Sequence, residues 1–158
     1  MHRTASRLAR ATGLVSFLSL SLAGAALARK PSRLDAETFK LWGGPYAVDC
    51  RAPASPTLRI AADALSLHTA AGRTTGHSLQ AVFAFFGQTP PPNYQVAITS
   101  DLERGAQLTF VVFRDALGPY VMLEGDAKLR KKLGQALFMK PFRSCDPDKI
   151  VPPPDGAR

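Results

Sequence analysis

Two runs rich in β-branched and aromatic residues, separated by one short turn, constrain this chain more than any other feature. Gln-Leu-Thr-Phe-Val-Val-Phe-Arg over 107–114 and Tyr-Val-Met-Leu-Glu over 120–124 flank Asp-Ala-Leu-Gly-Pro, a pattern that predicts an antiparallel hairpin. Leu108, Phe110 and Val112 fall on one face, and Val111 and Phe113 on the other, because successive side chains in a strand point to opposite sides. Apolar residues on both faces need cover on both faces. A closed or strongly curved sheet with a helix packed against it satisfies that need better than an open sheet.

The helix is legible in the residues that follow. Asp126 is placed as its N-cap, where a carboxylate accepts free backbone N–H groups. Over 126–138, Leu129, Leu133, Ala136 and Leu137 form one stripe, and Lys128, Lys131, Lys132 and Gln135 lie opposite. The chain then returns to Cys145.

Upstream, the same rules predict a short helix over 35–41 and a tight reversal at Trp42-Gly43-Gly44-Pro45. A first strand is expected over 46–50, and a hairpin from 58–60 and 65–67. Residues 70–77, with Gly72 and Gly76, read as a polar turn. Strands are expected over 79–86 and 94–99, joined by a stiff loop carrying Pro90, Pro91 and Pro92. The expected fold is therefore mainly β: about seven strands, mostly antiparallel, in a curved sheet or small barrel with a packed C-terminal helix. A two-layer α+β sandwich is the alternative.

Three features place the chain in a compartment. Residues 1–28 carry Arg3, Arg7 and Arg10 without acids, then an apolar stretch from 14 to 22, then Ala26-Leu27-Ala28. That is the pattern of a cleavable signal peptide, cut after Ala28. The apolar stretch is interrupted by serines and falls short of the roughly 18 residues that a spanning helix needs. Cys50 and Cys145 are the two cysteines, and in an oxidising compartment an even pair is expected to form a disulfide. A periplasmic or secreted protein follows, with one domain over 29–145 and a flexible proline-rich tail over 146–158. Of the formal charge of +8, three units belong to the leader, and the remainder is ordinary for a soluble protein.

No catalytic signature is present. The chain lacks a Gly-x-Ser-x-Gly elbow, a Walker loop, a dinucleotide fingerprint and a His-Glu-x-x-His pair, so no catalytic residue is assigned and no cofactor is expected. His68 and His77 stand outside any motif with a mechanism, and no metal ligand set can be assembled. Nucleic acid is disfavoured because the phenylalanines fall in core-like runs rather than on a basic face.

The expectation is a non-enzymatic binding protein, within that class an inhibitor or immunity-like protein that blocks a hydrolase acting on the cell envelope. Its partner would be a protein, engaged by stiff loops that lose little entropy on binding. Trp42, Tyr46 and Tyr94 are the candidate contacts on those loops, with Trp42 as a buried lid over the core the alternative for that residue. The alternatives are a small hydrolase with an unrecognised site, and a cell-wall or membrane-surface adaptor that binds through Lys128, Lys131 and Lys132.

Overall fold

Alternation at period two decides this architecture, since one face of nearly every strand is apolar and those faces turn inward together. The computed structural model describes residues 32–85 and 88–149; the predicted leader and residues 150–158 of the predicted tail lie outside them. Within the described residues a short helix α1 (Ala36–Trp42) precedes strands β1 (Gly44–Ala47), β2 (Thr57–Ile60), β3 (Leu65–Thr69), β4 (Gly72–Val82), β5 (Tyr94–Asp101), β6 (Gln107–Asp115) and β7 (Gly118–Glu124). Helix α2 (Ala127–Leu133) and a 3-10 turn (Gln135–Met139) lead to β8 (Phe142–Ser144). All neighbours are antiparallel, and the sheet closes in sequence order through β1 and β8.

Register explains the core. Leu58 faces Leu67 and Ile60 faces Leu65 across β2 and β3. Ile98 faces Phe110, which faces Leu123, and Val121 faces Phe142. These side chains are buried inside the barrel together with Tyr46, Val96, Leu108 and Val112. Small barrels of eight strands have an interior just wide enough for side chains to fill.

Both helices begin as their sequences require. The Thr38 N–H donates to Asp35 Oδ1 at 2.8 Å and the Leu129 N–H to Asp126 Oδ1 at 2.7 Å, each satisfying an otherwise unpaired donor of the first turn. The second helix is shorter than its apolar stripe suggests. Gly134 takes φ of +90°, a conformation that glycine adopts without steric cost, and the chain continues as a 3-10 turn that buries Leu137 and Phe138.

Three departures from expectation have local causes. Residues 72–77 extend β4 instead of forming a turn. Gly72, at φ of +118°, belongs to the tight β3–β4 connection, whereas Gly76 lies within the strand, where an added Cβ would fall 2.1 Å from Ser100 Oγ. A glycine inside a strand here marks close approach of its neighbours. The second departure is β8, three residues long, which makes eight strands where seven were legible. The third is the start of the tail: Pro147–Lys149 forms a 3-10 turn, and the Lys149 ammonium donates to the Gly43 carbonyl.

Closure depends on that shortest strand. Each side of β8 contributes two register pairs, Tyr46 with Ser144 and Ala47 with Arg143 on β1, and Tyr120 with Arg143 and Val121 with Phe142 on β7. Cys50 and Cys145, just beyond β1 and β8, are joined by a disulfide with Cα atoms 5.6 Å apart. The bridge spans 95 positions, and linking residues so distant stabilises by about 4 to 5 kcal/mol in the chain-entropy model. We expect the Cys50→Ser/Cys145→Ser variant to lose about 2 to 5 kcal/mol in urea unfolding followed by circular dichroism. A loss below about 1 kcal/mol would mean that the seam holds without its bridge.

Candidate functional site

A packed interior removes one class of function. Tyr46, Phe110 and Phe142, with leucines, isoleucines and valines, fill the barrel and are fully buried, so a ligand has to be met from outside. The outside offers two distinct regions.

The first is a cleft of about 620 Å³ at the rim, lined by Arg73, Thr74, Thr75 and His77 of β4, by residues 101–103 and Ala106 between β5 and β6, and by Asp126, Lys128, Leu129 and Lys132 at α2. Antiparallel order brings these together: the β3–β4 and β5–β6 turns and the β7–β8 crossing all leave the barrel at one end. His77 lies across the ladder from Asp101, yet no hydrogen bond joins their side chains. Asp126 is committed to the Leu129 N–H at 2.7 Å, and Asp101 Oδ1 accepts from Gln107 Nε2 at 3.5 Å. Among the described residues no group of three His, Cys, Asp or Glu side chains is placed to hold a metal ion.

The second region lies at the opposite end, on the outer wall. Tyr94, Phe113, Tyr120 and Arg143 occupy successive cross-strand positions on β5, β6, β7 and β8. Phe113 and Tyr120 stack with centroids 5.3 Å apart, while Phe85 and Phe113 meet Tyr94 edge-on. Arg143 lies 4.8 Å over the Tyr120 ring and grips Asp115 with two hydrogen bonds of 2.7 Å. Planar guanidinium and carboxylate groups favour that two-point pairing. It holds the Asp115 carboxyl below its usual pKa, chiefly through the hydrogen bonds from Arg143. Beside this row, Phe83 is 60% exposed and Leu117 66% exposed. The Arg114 N–H donates to the Asn93 carbonyl at 2.9 Å, which ties the proline-bearing loop to the end of β6.

The site residues expected from sequence fall in different places. Trp42 and Tyr46 are not on a binding edge: they are 7% and 0% exposed. Tyr46 points inward because it shares the register face of Leu58, and its hydroxyl donates to the Trp42 carbonyl at 2.7 Å. Burial pushes the Tyr46 phenol well above its ordinary pKa, and the Trp42 ring packs in the same core. Tyr94 is half-buried in the aromatic row, with its hydroxyl donating to the Val82 carbonyl. Lys128, Lys131 and Lys132 are all exposed, but only Lys128 and Lys132 line the cleft. Neither Arg73 nor His77 was legible as their companion, because Lys128 stands 55 positions from Arg73 and 51 from His77 in the chain. Arg143 and Asp115 likewise meet only through the register of β6, β7 and β8.

No family model, curated protein or solved structure matches this chain. No helix among the described residues is long and apolar enough to cross a membrane.

Two measurements check these placements. Tyr46→Phe removes one buried hydrogen bond and leaves the Trp42 carbonyl without this donor, so urea unfolding should show a loss of about 1 to 2 kcal/mol. A variant as stable as the parent would contradict the buried role. For Asp115, whose folded pKa is depressed, the associated stability is fully present above the unfolded value of about 3.9 and is lost as pH falls through the folded value. Because both partners are about one-third exposed, solvent screening keeps the effect below about 1 kcal/mol. Asp115→Asn should therefore show a shallower stability loss below about pH 4 than the parent, measured by urea unfolding across pH. An unchanged acid limb would remove this ion pair from the account.

Proposed function

We propose that this chain is an exported, non-enzymatic binding protein that blocks a hydrolase acting on the cell envelope, and that it docks through the aromatic end of the barrel. The observation that carries the reading is the exposure of Phe83 and Leu117 beside a cross-strand row of aromatic rings. Protein interfaces are enriched in aromatic residues and arginine at their centres, with polar groups around them. Here the rings lie on a disulfide-closed, side-chain-filled barrel, and the flanking loop is anchored through the Asn93 carbonyl. A surface already held in place loses less conformational entropy when a partner binds. The disulfide accords with an oxidising compartment, and the leader-like residues 1–28 supply the route to it. The turn at Trp42 drops out of the docking surface, and Phe83, Leu117 and the loop over 88–93 replace it.

The test is a residual-activity titration of the disulfide-bonded protein against a panel of wall-cleaving muramidases and amidases. Stoichiometric inhibition of one enzyme, weakened at least about tenfold by Phe83→Ser with Leu117→Ser, is the expected result. Inhibition unchanged in that variant would move the docking surface elsewhere, and indifference of every enzyme in the panel would end the inhibitor reading.

A further inference from the structure

The rim cleft lies at the barrel end opposite the proposed docking surface, and its chemistry is different. Four side chains able to carry positive charge line it: Arg73 and His77 from β4, and Lys128 and Lys132 from α2. Among the described residues none of the four has a salt bridge or hydrogen-bond partner, whereas Arg130 and Arg143 are paired with Glu124 and Asp115. Two of the three carboxylates in the cleft already accept hydrogen bonds, Asp126 from the Leu129 N–H and Asp101 from Gln107. The two lysines stand four positions apart on a seven-residue helix with no acid in its first turn. Like charges at that spacing destabilise a helix, and the carboxylates of Asp101, Glu103 and Asp126 in the same cleft are the groups that offset the repulsion. Leu129, Leu102 and Ala106 add an apolar part to the lining, and the half-buried Thr74 and Thr75 add hydroxyl groups.

We propose that this cleft binds a small phosphate ester, with Arg73, His77, Lys128 and Lys132 surrounding the phosphate and Glu103 facing donor groups on the rest of the ligand. A phosphate presents three acceptor oxygens and up to two charges, which suits donors arriving from separate elements. A cleft of about 620 Å³ falls within the usual range for small-molecule sites. The site also divides the basic face of the helix: Lys128 and Lys132 belong to it, and Lys131, exposed on the same helix, lies outside.

That division makes the proposal testable. Inorganic pyrophosphate and glycerol phosphate are titrated into the disulfide-bonded protein while the histidine side-chain resonances are followed by NMR. His77 should shift saturably, and by more than His68, which is not part of the cleft lining but lies across the ladder from Arg73 on β3. Lys128→Gln with Lys132→Gln should weaken binding roughly tenfold, and Lys131→Gln by less than about twofold. The absence of a saturable His77 shift would overturn the site. So would an equal loss in Lys131→Gln, which would mean diffuse attraction to a basic surface. Vesicles containing phosphatidylglycerol identify the source of the phosphate: competition with pyrophosphate at His77 supports the site with a lipid headgroup as its ligand, and saturable pyrophosphate binding without competition supports it with a soluble ester. Vesicle adsorption without any pyrophosphate response at His77 would overturn the proposal.

Discussion

The barrel depends on closing β1 to β7 through a strand of three residues. A sheet that stopped at β7 would leave unpaired backbone on two edges, and unpaired edges invite pairing with other chains. β8 covers both edges with two register pairs on each side, which is little hydrogen bonding for a structural seam. The Cys50–Cys145 bridge lies beside it and holds the two ends of the sheet together. Around it, Phe142 fills the interior next to Val121, and Arg143 reaches outward to Asp115 and Tyr120. Core, outer wall and covalent link thus meet within four consecutive residues.

Filling the interior has a consequence for function. Tyr46, Phe110 and Phe142 leave a solid scaffold instead of a container, so recognition has to occur on surfaces that the barrel positions. Its two ends are unlike. One gathers charged groups from β4, the β5–β6 connection and α2 around a cleft; the other displays aromatic rings and two largely exposed apolar side chains. Up-and-down order produces this separation, because alternate turns emerge at alternate ends.

The readings that failed did so for a common reason. Trp42 and Tyr46 flank a glycine-rich reversal, and local composition there describes a turn without saying which side of it faces a core. The direction of Tyr46 follows from pairing with Leu58 and Ser144, residues 12 and 98 positions away in the chain. Gly76 misled in the same way: turn and strand both use glycine, and only the approach of Ser100 separates them. Charge on α2 was readable as a basic face, but its division between Lys131 and the pair lining the cleft required knowledge of where β4 lies.

Local physics in the chain determined a great deal without tertiary context. The two-sided hairpin of β6 and β7, the Asp126 cap of the second helix, the paired cysteines and the mainly β class all follow from periodicity, capping chemistry and cysteine arithmetic, whose causes act over a few residues or through residue identity. Closure, the existence of β8, the inward turn of Trp42 and Tyr46, and the gathering of Arg73 and His77 with Lys128 and Lys132 were decided only by the folded barrel. A strand of three residues carries too little pattern to be read by itself, and cross-strand register joins residues whose relationship is stored in the pairing of the whole sheet.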